Sequence, residues 1–138
     1  MAANTHVFLL TLFALAFSSI PLATLADSGT ATFYQNYVPS ACYGGQPQGV
    51  MIAAASDVFW AGGAACGRTY KVTCTGAANP GIQNPCTGRS VVVKIVDHCP
   101  SGCTGTIDLS QEAFATIANP VAGIVKVTYD RYVRDEIS

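Results

Sequence analysis

The side chains of this chain that could do chemistry are carboxylates, six cysteines and a histidine beside one of them, His98. Hydrolysis of a glycosidic bond with inversion needs a protonated carboxyl group for the leaving oxygen and a second carboxylate that activates water. The chain has eight Asp and Glu residues, and none lies between Asp27 and Asp57. Two carboxyl groups on one surface are therefore the requirement that any such activity must meet.

Each of two aspartates also has a structural interpretation. Asp97 ends an aliphatic run, where it could anchor a turn or pair with Arg68 or Arg89. Asp108 stands two residues before Ser110, where a helix is predicted to start, and could accept hydrogen bonds from the free amides there. The residues alone do not decide between these interpretations and a chemical role.

The six cysteines follow residue 26, and an even number of them in a small exported chain indicates disulfides. A zinc site is the alternative, with Cys99 and Cys103 as its nearest approach to a ligand pair. Their spacing is longer than C-x-x-C and no second pair of similar spacing follows, so we expect no metal and no cofactor. The sequence alone leaves the disulfide pairing open. The cysteines are Cys42, Cys66, Cys74, Cys86, Cys99 and Cys103.

The first 26 residues carry no Asp, Glu, Lys or Arg, and an apolar stretch there ends in small residues after Pro21. This layout predicts a signal peptide over residues 1–26 with cleavage before Asp27. A retained membrane anchor is the alternative, which Pro21 and the absence of a basic flank disfavour. Residues 27–138 then form one secreted, near-neutral domain, and its charge balance argues against nucleic acid as a partner.

The periodicity of apolar residues predicts the strands and helices that position these side chains. About six short strands and one helix of any length predict an all-β sandwich or a small closed barrel, and the pattern does not choose between them. The aliphatic run over residues 90–97 predicts a strand buried on both faces in the centre of the sheet. A helix is expected to begin around Asp108 to Glu112, with Ser110 as its cap, and to stop at Pro120. The other predicted elements are strands at 30–34, 50–55, 69–73 and 123–129, a loop over 36–49 and a helical turn over 56–60.

Several ordered motifs carry a family resemblance. Gly29 to Tyr34, Ala65 to Cys74 and Ile107 to Ser110, together with 92–99 and 123–129, resemble segments of the first domain of plant expansins. Further segments at 40–44, 60–68, 86–89, 96–99 and 113–118 resemble the plant natriuretic peptides, including the citrus blight-associated type. The resemblance covers almost all of residues 27–138. It implies the six-stranded double-psi β-barrel that these proteins share with barwin and family 45 endoglucanases.

The resemblance also implies disulfides and a groove. It pairs Cys42 with Cys66, Cys74 with Cys86 and Cys99 with Cys103, and it places Asp108, Asp97, Tyr34 and Thr32 in the groove. The family 45 enzymes carry their base in a T-x-Y-W-D pattern, and the comparable run here, Thr32 to Asn36, ends in an amide that cannot take a proton at neutral pH. We therefore expect no hydrolase. A lytic reaction that uses Asp108 alone is the alternative.

The function implied by the resemblance is a secreted, non-catalytic signal in water and solute homeostasis, acting in the apoplast as a monomer without a membrane anchor. Its expected partner is a cell-surface receptor that contacts Tyr37, Tyr43 and Trp60, although burial of Trp60 in the core is the favoured interpretation. A binder of wall polysaccharide is the second hypothesis. Ribonuclease activity through His98 has little support, because the chain has no basic surface for phosphate.

Overall fold

The computed structural model describes residues 25–100 and 102–134. Six strands close into a barrel in the order β1-β5-β2-β4-β3-β6, and β6 pairs with β1. This decides between sandwich and barrel in favour of the closed barrel that the resemblance implies. The strands are β1 Asp27–Tyr34, β2 Ile52–Ala55, β3 Thr69–Ala77, β4 Ser90–His98, β5 Ile107–Ser110 and β6 Val125–Arg131. The helices are α1 Asp57–Trp60 and α2 Gln111–Ile117.

The N-terminal prediction falls mostly outside this range, since residues 1–24 of the predicted signal peptide are not among the described residues. Within the described ranges, no helix has the length and apolar character that a membrane crossing requires.

Strand β5 is the element that the sequence analysis missed. Asp108 was assigned to the start of a helix, but it lies in the middle of a four-residue strand that pairs with β1 in parallel and with β2 in antiparallel orientation. The helix begins at Gln111 instead. The predicted cap is confirmed, because the Ser110 side chain accepts a hydrogen bond from the Ala113 amide at 3.0 Å. A strand this short takes its stability from its two neighbours, which leaves little local pattern to read.

The prediction for β4 is also partly wrong. Val91, Val93 and Ile95 are buried, but Val92 is 37% exposed, so only one face of the first half of the strand is covered. The reason is the barrel itself. A closed sheet has no central strand, and each strand shows one face to the interior and the other to the outside.

The barrel interior is filled by small and branched aliphatic side chains and sealed by helix α2. Ala113, Phe114 and Ile117 of α2 are buried, and the Phe114 ring lies 4.9 Å from the Phe33 ring. Helix α2 thus covers the barrel close to the end of β1.

Three disulfides link segments of the chain in the pairing that the resemblance implies. Cys42–Cys66 fixes the loop over 36–49, Cys74–Cys86 closes the connection after β3, and Cys99–Cys103 closes a small ring after β4. The loop is held in addition by a hydrogen bond from the Cys42 amide to the Val96 carbonyl oxygen.

Candidate functional site

Four residues on four adjacent strands form a single row on the outside of the barrel. Thr32 of β1 is paired with Asp108 of β5, Asp108 with Ala54 of β2, and Ala54 with Asp97 of β4. Directly paired residues project from the same face of a sheet. Their sequence neighbours, such as Ala53, belong to the buried core, so the row faces outward. We call Thr32, Asp108, Ala54 and Asp97 the aspartate row.

An irregularity in β4 brings Asp97 into this row. Ala53 is paired with Ile95, but Ala54 is paired with Asp97. Val96 is therefore an extra residue of β4 without a partner on β2. With regular pairing Asp97 would stand opposite Ala55, a core residue, and would point into the barrel. The bulge therefore turns the carboxylate outward, as such bulges do near functional surfaces.

Ala54 forms the floor between the two carboxylates. It is 4% exposed and lies outside the main core cluster. Since adjacent strands are about 4.8 Å apart, the Cα atoms of Asp97 and Asp108 are separated by roughly 10 Å. A methyl group between two longer side chains leaves a depression in which an extended ligand could lie.

Asp108 is a half-buried acid with one hydroxyl partner. Thr32 Oγ1 donates a hydrogen bond to its Oδ1 at 2.9 Å. Burial raises the pKa of Asp108, the Thr32 hydrogen bond lowers it, and the nearby negative charge of Asp97 raises it, with a rise as the net result. Gly105 permits this contact, because a Cβ atom there would lie 2.6 Å from Thr32 Oγ1.

Asp97 has a structural task as well. Its Oδ1 accepts hydrogen bonds from the Ala41 and His98 amides, both at 2.9 Å. The turn-anchoring interpretation therefore describes this residue, and among the described residues Asp97 forms no ion pair with Arg68 or Arg89. Asp97 ties the loop over 36–49 to the end of β4.

Tyr34 completes the groove beside the aspartate row. It follows Thr32 by two residues on β1 and so shares its face. Its hydroxyl is buried and has no hydrogen-bond partner among the described residues. Burial raises the pKa of Tyr34 strongly, and the charges of Asp97 and Asp108 add to the rise. The group stays a hydroxyl at neutral pH.

The three aromatic side chains predicted to meet a receptor all have partners within the chain. The Tyr37 hydroxyl donates to Glu112 and accepts from the Gln111 amide at 3.1 Å, which joins it to helix α2. The Lys94 ammonium lies 4.9 Å from the centre of the Tyr43 ring. Trp60 is partly buried and packs against the core, so the favoured interpretation of core burial is confirmed in part.

A cluster that sequence reasoning did not find explains the position of Trp60. Its ring stacks on His98 at 4.5 Å with an interplanar angle of 11°. The Nε2 atom of His98 lies 2.6 Å from Asp57 Oδ1, to which it donates a hydrogen bond. Asp57 and Trp60 are the first and last residues of α1, but His98 lies about 40 residues further along the chain, so no local signal indicated the cluster.

No group of three or more His, Cys, Asp or Glu side chains suited to a metal occurs within residues 25–100 and 102–134. Asn36, the residue at the expected base position, is exposed just beyond the end of β1 and carries an amide.

Comparison with known proteins gives consistent matches. Residues 52–129 match a family described as "Lytic transglycolase". An EG45-like domain containing protein of Citrus jambhiri is 53% identical over 132 residues, which are 95% of this chain and 99% of that protein. A putative EG45-like domain containing protein of Arabidopsis thaliana is 60% identical over 104 residues, or 75% of this chain and 82% of that protein.

Solved structures share the barrel. The expansin of Clavibacter michiganensis, solved as a mutant in complex with cellohexaose, has a TM-score of 0.61 and 29% identity over 83% of this chain. The chain spans only 53% of that expansin. The endoglucanase Cel45A of the mussel Mytilus edulis has a TM-score of 0.60 over 80% of this chain and 81% of its own, at 20% identity, which supports the fold alone.

Proposed function

Because the chain belongs to the EG45-like domain proteins, which have the double-psi β-barrel fold, we propose that it is an extracellular protein that binds a wall β-glucan on the aspartate row without hydrolysing it. The row is the observation that carries the proposal. It places a half-buried acid, its threonine partner and an unpaired tyrosine hydroxyl along one outward depression. The similar expansin, 29% identical, was solved with cellohexaose.

The chemistry of the row favours binding over hydrolysis. Asp108, with its raised pKa, could act as a general acid, but inversion also needs a carboxylate that is free to activate water. Oδ1 of Asp97 already accepts two backbone hydrogen bonds, and Asn36 carries an amide in place of a base. A sugar hydroxyl can instead donate to Asp108 or accept from Tyr34, which fixes a ligand without breaking a bond.

An extracellular location is part of the proposal. The structure joins all six cysteines in disulfides, which persist in oxidising compartments. The signal peptide proposed over residues 1–26 would direct the chain there.

The test uses the protein as secreted by a plant-cell culture, incubated with cellohexaose and with insoluble cellulose. We expect saturable binding, measured by calorimetry and sedimentation, and no release of soluble sugar. Asp108→Asn should weaken binding several-fold. Asp130→Asn should leave it unchanged, because Asp130 follows Tyr129, which pairs with Asp27 at the end of β1 away from Thr32. If the protein released sugar and Asp108→Asn abolished the release, the function would be a lytic reaction with Asp108 as the acid, and not binding alone. Absence of binding to both glucans would overturn the proposal.

The second candidate function is that of a signalling protein in water and solute balance that a cell-surface receptor recognises. Val38 and Val50, near the two ends of the loop over 36–49, are each 45% exposed, and exposed aliphatic side chains of this size suit a protein partner. Protoplast swelling measures this activity. A signal should survive Asp108→Asn and be lost in Val38→Asp, whereas an effect that depends on glucan binding should show the reverse.

A further inference from the structure

A cavity lies next to the aspartate row, at the end where β2 and β4 finish. Its volume is about 310 Å³, and Ser56, Thr104 and Thr106 are among the residues that line it. Ser56 follows the last residue of β2 and Thr106 precedes the first residue of β5, so both lie just beyond the row, where the Ser56 amide donates to the Thr106 carbonyl oxygen. At about 3.3 Å per residue, the cavity begins roughly 7 Å from the row, which is comparable to one sugar unit.

Ser56 points to a ligand for this cavity. The residue is 7% exposed, and its hydroxyl has no hydrogen-bond partner among the described residues. It stands at the N-cap position of α1, yet its side chain caps no amide of that helix. A buried polar group without a partner costs free energy, and a ligand hydroxyl that met it would remove this cost.

The lining indicates which ligand chemistry fits. Among the described residues, the lining contains three side-chain hydroxyls and two glycines, and neither Lys nor Arg. One of the three, Thr106 Oγ1, accepts a hydrogen bond from the Thr30 amide and keeps its own proton to donate. Its one carboxylate, Asp57, accepts a hydrogen bond from His98. An anionic ligand would find no cation here, whereas a neutral ligand rich in hydroxyl groups would find partners.

We propose that this cavity receives a single-sugar branch of the β-glucan whose backbone lies on the aspartate row. The inference rests on the proposed function and adds a substrate class to it, namely a branched glucan such as one with xylose substituents. The backbone occupies the depression over Ala54, and the branch turns toward Ser56. The cavity thus discriminates between linear and branched chains.

The test compares cellotetraose with the xylose-branched oligosaccharide built on the same four-glucose backbone, both titrated into the secreted protein by calorimetry. We expect the branched sugar to bind about tenfold more tightly. Thr104→Trp, which fills the cavity, should bring the branched sugar to the affinity of the linear one. Thr75→Trp, the same change at an exposed position on β3, should leave both affinities unchanged.

Ser56→Ala gives a second, independent measurement. Because the hydroxyl has no hydrogen-bond partner among the described residues, its removal should not lower the thermal stability, yet it should weaken branched-sugar binding about threefold to tenfold. Equal affinity of both sugars for the unchanged protein would overturn this inference and leave the proposed function standing. Binding of neither sugar would overturn both.

Discussion

Thr32 and Asp108 face each other across two parallel strands, and the threonine hydroxyl donates to the aspartate at 2.9 Å. This bond stabilises the ionised carboxylate, while burial and the charge of Asp97 destabilise it more, so the pKa of Asp108 is raised. The strand register places Thr32 opposite Asp108 and thereby provides the hydrogen bond that limits the rise in the pKa of Asp108.

The raised pKa of Asp108 predicts that replacing its carboxyl group increases the stability of the fold, by an amount that depends on pH. The folded state holds the proton more tightly than the unfolded state, so stability falls as the pH rises past the ordinary value of 3.8 and stays reduced above the folded pKa. Asp108→Asn should therefore be more stable than the unchanged protein at neutral pH, and the difference should vanish in acid. Chemical denaturation at both pH values measures it.

Thr32→Val provides the matched test of the same balance. It removes the hydrogen bond that lowers the pKa of Asp108, so the pKa of that carboxyl should rise further in an NMR titration. An unchanged pKa in Thr32→Val, or a loss of stability in Asp108→Asn at neutral pH, would contradict this account.

Tyr34→Phe separates stability from binding. The Tyr34 hydroxyl is buried and has no hydrogen-bond partner within residues 25–100 and 102–134, so its removal should leave the free energy of unfolding unchanged or raise it by about 1 kcal/mol. Glucan affinity should nevertheless fall about threefold to tenfold, because the donor beside the aspartate row is lost. Denaturation and calorimetry on the same sample check both expectations.

Tyr37→Phe is the control for this change. Its hydroxyl has two partners on helix α2, Glu112 and the Gln111 amide, and should be needed for stability. If Tyr34→Phe destabilised the protein as much as Tyr37→Phe does, the Tyr34 hydroxyl would have an internal partner after all.

The disulfides should differ in what they contribute. Cys42–Cys66 closes a loop with a sequence separation of 24, and Cys99–Cys103 one of 4. Since the entropy removed from the unfolded chain grows with loop length, replacing the first pair by serines should cost about 3 kcal/mol and the second about 2 kcal/mol. The first change should also weaken glucan binding, because the loop that it frees is anchored on Asp97.

Melting temperatures and glucan affinities of the two double variants test this order. A larger loss of stability on removal of Cys99–Cys103 than on removal of Cys42–Cys66 would show that chain entropy does not set the ranking.

The sequence predicts this fold better than it predicts the site. Alternation of side chains located β1 and β6, and the Ser110 cap was predicted because capping depends on neighbouring residues. The bulge at Val96, which turns Asp97 outward, depends on pairing with a strand far away in the sequence, and no local pattern reports it. Strand β5 was missed for the same reason.

The stacked pair of Trp60 and His98 leads to the last prediction. Trp60 is the only tryptophan of the chain, so the tryptophan emission of the protein comes from the ring that stacks on His98. His98→Ala should shift the emission to longer wavelength, because the ring gains contact with water. It should also cost about 1 kcal/mol of stability through the lost stacking.

His98→Phe and Asp57→Ala test separately the two contacts of His98, its stacking on Trp60 and its hydrogen bond to Asp57. His98→Phe keeps an aromatic ring against Trp60 and should keep the emission near its original position. Asp57→Ala removes the exposed hydrogen bond to His98, which contributes less than about 1 kcal/mol, and should leave the stack in place. If Asp57→Ala shifted the emission as far as His98→Ala does, the carboxylate would be what holds the imidazole against the ring. The wall of the neighbouring cavity, to which Asp57 belongs, would then depend on that hydrogen bond.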